Sequence, residues 1–210
     1  MTNKKVHKQK IRIKFKINIY LVLFLIITAL IAYSLWYFVN KYRNEQLLAN
    51  YYNYKGYWIE FRKPLKNSYF INVYPNESVL NLSTLTLGLG MYKNITIIIY
   101  ENDDNSYNAI AVAEIFYKVY NVLNFELIRN YMSSVGINVI KIKDSVNASQ
   151  LGKSNYYILL KSPMISNETY IRVNSLNFVE ISGKNMDEYD YAIIKFILTF
   201  LKNLESLYKS

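Results

Sequence analysis

The chain has 210 residues, enough for one domain with an appendage, and it carries no cysteine, so disulfides, thiolate nucleophiles and cysteine-ligated metals are excluded. Its single histidine, His7, lies near the N-terminus and leaves the rest of the chain without an imidazole for serine–histidine catalysis or a zinc site. The formal net charge is +10, but Lys4, Lys5, Lys8, Lys10, Arg12, Lys14 and Lys16 all precede the first acid, Glu45. The basic footprint is therefore a local tail and not a nucleic-acid surface.

Residues 1–16 read as a basic cytoplasmic tail. Residues 17–40, "INIYLVLFLIITALIAYSLWYFVN", hold no charge, and as a helix they reach about 36 Å against a hydrocarbon core of about 30 Å. The stretch is apolar on every side, unlike an amphipathic soluble helix. It exceeds the apolar core of about 7–15 residues found in a cleaved signal peptide, and Ala29 and Ala32 are wrongly spaced for a cleavage site. The expectation is an uncleaved, single-pass transmembrane signal anchor in the plasma membrane. The excess of Lys and Arg before the span predicts a cytoplasmic N-terminus and an extracytoplasmic C-terminal domain. Tyr33, Trp36, Tyr37, Phe38 and Tyr42 suit the headgroup layer at its far end.

Residues 41–56 read as a stalk or a continuation of the helix, and 57–210 as the extracytoplasmic domain. "YWIEFR" (57–62) alternates, with Tyr57, Ile59 and Phe61 on one face, and "INVY" (71–74) does likewise before Pro75. "NITIIIY" (94–100) and "YYILL" (156–160) are continuous apolar runs suited to central strands covered on both faces, and "INVIKIK" (137–143) is a third candidate. Between them, Ile110, Ala113, Phe116, Tyr117 and Tyr120, then Leu127, Ile128, Tyr131, Met132 and Val135, recur at helical spacing, with a break expected near Asn121–Asn124 and a C-cap at Gly136. Strand, helix and strand in that order predict a parallel βαβ crossover. "ETYIRV" and "NFVEISG" predict an antiparallel hairpin (168–183). Residues 185–208 predict a final amphipathic helix with Tyr189, Ile193, Phe196, Ile197, Phe200, Leu204 and Leu207 on one face. The fold class is thus a transmembrane helix followed by an α/β domain with a mixed sheet.

The candidate site is the acidic corner Glu101–Asn105. It follows an apolar strand, where open α/β sheets bind ligands. Glu101, Asp103, Asp104 and Ser106 are the ligand or cation candidates, since hard oxygens suit calcium. The spacing is not that of an EF-hand loop, and Asn, Asp and Ser also build turns and helix caps. A solvated turn is the preferred reading, in which Asp103→Asn and Asp104→Asn change stability by no more than about 0.5–1 kcal/mol. "GKS" (152–154) lacks the earlier glycine of a phosphate loop and precedes a strand. "GLG" (88–90) has Lys93 where a dinucleotide fingerprint needs glycine, so both read as flexible loops between strands. Ser133, Ser134 and Ser154 lie in or near loops, but no spacing picks out a serine–lysine dyad. No cofactor and no metal site is expected. Asn-x-Ser/Thr triplets at Asn76, Asn81, Asn94, Asn147 and Asn167 are candidate glycan acceptors.

Two stretches, "IIIYENDDNSYNAIAVAEIF" and "YYILLKSPMISNETYIRVNSLNFVEISGKNMDEYDYAIIKFI", together resemble the α/β domains of prokaryotic, archaeal-type surface-layer and cell-wall-binding proteins. The chain departs from them in having Lys161-Ser162 where those domains place a glycine pair, and Asn185-Met186 where they place Arg-Tyr. With the anchor and the absence of catalytic residue types, the resemblance implies a non-enzymatic envelope protein whose partners are other envelope proteins or wall polymer. Two alternatives stand beside it: a ligand-capturing or sensor module using residues 101–106, and a carboxylate-dependent hydrolase.

Overall fold

The computed structural model describes residues 19–103, 106–146 and 151–208. The basic tail with His7, Asp104 and the Asn147 triplet lie outside the described residues. The chain divides into two units, Met1–Gln46 and Leu47–Ser210.

The first unit is built on helix α1 (Ile19–Leu48). Its Val22–Glu45 stretch is long and apolar enough to cross a membrane by length and composition, and none of that stretch is buried. Thr28 and Ser34 turn their hydroxyls back onto the helix, donating to the carbonyls of Phe24 (3.0 Å) and Ile31 (2.9 Å). Their polar groups are thereby satisfied within the helix itself.

The second unit opens with an antiparallel hairpin, β1 (Tyr51–Tyr54) and β2 (Tyr57–Glu60). The expected stalk over 41–56 is therefore corrected from residue 51 onward: Tyr54 is buried in the core, and Gly56 turns the chain at φ +89°. Backbone bonds from Phe61 to Asn50 (2.7 Å) and from Leu65 to Ala49 (2.9 Å) fasten this beginning of the domain. Of the face predicted for 57–62, Phe61 is buried and Tyr57 is exposed.

A six-stranded sheet follows, in the order β3-β7-β8-β6-β4-β5. Its strands are β3 (Val73–Tyr74), β4 (Asn94–Tyr100), β5 (Gly136–Ile142), β6 (Asn155–Lys161), β7 (Tyr170–Ser175) and β8 (Phe178–Ser182). β4 pairs in parallel with both β5 and β6, and β6 with β8, while β7 and β8 form the expected antiparallel hairpin. β4 and β6 are buried through their middles, as their unbroken apolar runs require. β5 is instead a largely exposed edge, with Val139 and Ile140 open to solvent.

Helix α2 (Glu77–Gly88) occupies a stretch to which the sequence assigns no helix. Asn76 caps it by accepting from Val79 N–H (3.1 Å), and Leu80, Ser83, Thr84 and Leu87 form its buried side. "GLG" is thus a helix end and not a loop between strands: Gly88 closes α2, and Gly90 turns the chain at φ +66°. The amphipathic C-terminal helix is present as α5 (Met186–Leu207), with Asn185 accepting from Glu188 N–H (2.9 Å). Its Ile193, Phe196, Ile197, Phe200 and Leu204 are buried, each side chain contributing about 1.5–3 kcal/mol.

The βαβ crossover is α3 (Ser106–Ile115), a π-helical segment (Phe116–Tyr120) and α4 (Asn121–Arg129). The expected break at Asn121–Asn124 is replaced by this π segment one turn earlier. The buried side is Ala111, Ile115, Val119, Leu123 and Leu127; of the predicted stripe, Leu127 and Val135 are buried, while Phe116, Tyr117, Ile128 and Tyr131 are exposed. An interval of four residues overshoots an α-helical turn by about 40° at each step. Four such steps would carry the stripe off the sheet, and the wider π turn absorbs the drift. The helix ends at Arg129, and Gly136 begins β5 instead of capping it.

Core packing is two-sided and unequal. Ile95, Ile97 and Ile99 of β4 join Tyr156, Ile158 and Leu160 of β6 and the buried faces of α2 to α5 in the main cluster. On the other face Ile98, Tyr157, Leu159 and Phe178 form a small cluster, against which Val146 and Leu151 of the β5–β6 connection pack.

Candidate functional site

The strand order reverses at β4: the chain passes through α3–α4 to β5 on one side, then returns to β6 on the other. The carboxyl ends of β4 and β6 are therefore the switch point at which open α/β sheets receive ligands. Asp103 lies there, in a 3₁₀ turn formed by Glu101–Asp103 directly after β4. It is fully buried, which corrects the expectation of a solvated turn.

Both carboxylate oxygens of Asp103 are in use. Ser162, directly after β6, donates its N–H to Oδ2 (2.9 Å) and its hydroxyl to Oδ1. Asn108 of α3 donates its side-chain amide to the Asp103 carbonyl and accepts from the Tyr189 hydroxyl (2.7 Å). Burial, with the nearby Asp103 and Asp190 carboxylates, holds the Tyr189 phenol well above its ordinary range, so it stays a donor. One aspartate thus ties together the ends of two parallel strands, the first turn of α3 and the start of α5. The physical cause is desolvation: a buried carboxylate is tolerated where donors converge on it.

The other candidates scatter. Glu101 is exposed and faces Lys143 at 3.9 Å, and Ser106 is exposed at the first position of α3. Among the described residues no group of three or more His, Cys, Asp or Glu is arranged to hold a metal ion.

Two clusters were not singled out from the sequence. On the sheet face opposite the main cluster, buried Glu180 receives Lys161 Nζ at 2.6 Å and the Tyr170 hydroxyl, and the Arg172 guanidinium lies 4.6 Å from the Tyr170 ring centre. Burial alone would raise the Glu180 carboxyl, but the bonds from Lys161 and Tyr170 outweigh it and the net shift is downward. Lys161 and Glu180 border a cleft of about 380 Å³ with Tyr100, Ser145 and Asn174. The second cluster is Glu126 of α4, which accepts from Tyr54 (2.9 Å) and Lys55 (3.0 Å) of the hairpin. It borders a groove of about 520 Å³ walled by Tyr57, Ile59, Val122 and Phe125. In each cluster the buried carboxylate is already matched by a lysine and a phenol. A charged residue inside an apolar strand ("FVEIS") or beside the buried positions Leu123 and Leu127 was the signal available in the sequence.

Asp190 differs from these. Its Oδ1 meets Arg62 at 3.6 Å, and its buried Oδ2 has no hydrogen-bond partner among the described residues. Burial raises its carboxyl above the ordinary range, with Arg62 and Lys63 opposing.

These features define an α/β domain of mixed sheet, with α2 to α5 packed in its main core cluster, preceded in sequence by an apolar N-terminal helix. Comparison with protein-family models, curated proteins and solved structures finds no match to this chain.

Proposed function

We propose that this chain is a membrane-anchored envelope protein, with its N-terminus cytoplasmic, whose extracytoplasmic α/β domain binds other envelope proteins or wall polymer and performs no catalysis. The observation that carries the reading is the Asp103–Ser162 link. A side chain of the domain itself fills the switch point where an α/β enzyme or ligand-capturing module would hold its small molecule. The apolar length of α1 and the seven basic residues before it support the anchor and its orientation.

Protease added to intact cells tests the topology: it should remove the domain and leave a small membrane-embedded fragment. Full-length protein protected from the protease, or a soluble form beginning near Tyr33, contradicts the reading. Crosslinking in intact membranes should then capture an envelope protein or wall polymer on the domain. Crosslinks confined to cytoplasmic proteins argue against it.

A further inference from the structure

We propose that Asn76 and Asn167 carry N-linked saccharides in this domain and that Asn81 and Asn94 do not. The inference rests on the extracytoplasmic reading, because saccharide transfer of this kind takes place outside the cytoplasm.

An acceptor triplet needs its asparagine amide, and the hydroxyl two residues on, within reach of the transferring enzyme. The fold divides the described triplets sharply. Asn94 begins β4, where its Nδ2 donates to Asn155 (3.2 Å), and Thr96 of its triplet is 3% exposed. Asn81 is exposed on α2, but Ser83 of its triplet is 0% exposed, held by the Tyr156 hydroxyl (2.8 Å) and the Leu176 carbonyl (2.9 Å). Asn76 and Ser78, by contrast, are both exposed at the start of α2. Asn167 is exposed between β6 and β7, and Thr169 of its triplet is half-buried, its hydroxyl accepting from Lys184 N–H (3.0 Å) at the surface and not in the core as for Ser83.

The chemistry at Asn76 is compatible with its structural work. In the transfer, Nδ2 forms a bond to the anomeric carbon of a lipid-phosphate-linked saccharide. The bond from that carbon to the phosphate oxygen breaks, the lipid phosphate leaves with the electron pair, and one amide proton passes to the enzyme's base. Oδ1 is untouched, and it is Oδ1 that accepts from Val79 N–H and caps α2. The modified residue therefore still begins its helix.

Both sites flank the same edge of the sheet. Asn167 lines a cleft of about 370 Å³ together with Asn72 and Tyr74, and Asn76 stands two residues beyond Tyr74. Tyr74 ends β3, the two-residue edge strand. Bulky hydrophilic chains rooted there screen one sheet edge against strand pairing and leave the β5 edge accessible.

The test is peptide mass spectrometry on full-length protein from membranes of its native organism, run beside protease treatment of intact cells. The expected result is saccharide mass on the peptides holding Asn76 and Asn167, and none on those holding Asn81 and Asn94. Ser78→Ala, which keeps the Asn76 cap, and Asn167→Gln should each remove one saccharide and step the gel mobility. A domain that external protease removes but that bears no saccharide at Asn76 or Asn167 overturns the inference alone, as does saccharide on Asn81 or Asn94. A domain protected from protease overturns the extracytoplasmic reading and this inference together.

Discussion

Asp103 and Ser162 stand 59 positions apart in sequence and meet through two hydrogen bonds at the carboxyl ends of adjacent strands. Asp103→Ala removes the acceptor and strands the Ser162 N–H in a buried site, at about 1–3 kcal/mol for each orphaned group. Asp103→Asn should cost less, because one side-chain oxygen remains to accept. Chemical denaturation of the domain should rank wild type above Asp103→Asn, and Asp103→Asn above Asp103→Ala. Equal midpoints would mean that the link contributes nothing.

Calcium should not stabilise the domain. Both oxygens of Asp103 are committed to Ser162, and Glu101 is exposed beside Lys143. Melting temperature should be the same with millimolar calcium and with chelator. An upward shift in calcium that Glu101→Gln abolishes would restore the acidic corner as a cation site.

Glu180 and Asp190 should give opposite signatures with pH. The folded state lowers the Glu180 carboxyl, so this residue adds stability above the unfolded value, about 4.3, and loses it as pH falls through the lower folded value. The folded state raises the Asp190 carboxyl, so stability falls as pH climbs from about 3.9 through the raised folded value. At pH 7 Glu180→Gln should melt below wild type and Asp190→Asn above it. Melting curves across pH should bring Glu180→Gln back to wild type only below about pH 4.3, and should open the Asp190→Asn advantage only above about pH 3.9.

Gly183→Ala should destabilise the domain. A Cβ at this position would lie 2.4 Å from the Tyr189 Cα, so the first turn of α5 would have to move off the end of β8. Overpacking of this kind costs about 1–3 kcal/mol. Since Tyr189 also reaches Asn108, amide exchange should quicken in α3 as well as in α5. Acceleration confined to residue 183 and its neighbours would show that the shift is absorbed locally.

Much of the sheet was legible because β4 and β6 are unbroken apolar runs and α5 repeats its apolar face over several turns. α2 was hidden by its composition. "ESVLNLSTLTLG" sets Leu80 and Leu82, then Leu85 and Leu87, two residues apart and is rich in Ser and Thr, so local pattern and propensity both favour a strand over a helix. Its buried Ser83 is satisfied by Tyr156 and Leu176, partners distant in sequence. Asp103 was hidden for the same reason. Its residue type favours a surface turn, and only the return of the chain through β6 brings Ser162 to it.

The π segment has a consequence for chain length. The buried stripe of the crossover advances by four residues at every step from Ala111 to Leu127. Deleting Tyr117, which is exposed, would change those intervals to four, three, four and four, the pattern an ordinary α-helix presents along one side. The core thus has one residue more than it requires between Ile115 and Val119. The deletion variant should keep a melting temperature near that of wild type and comparable helical circular dichroism. What it would lose is the outward aromatic group in which the Phe116 ring sits 5.4 Å from Tyr117 and 5.1 Å from Tyr120. The surplus residue serves the surface of the helix, and its interior is indifferent to it.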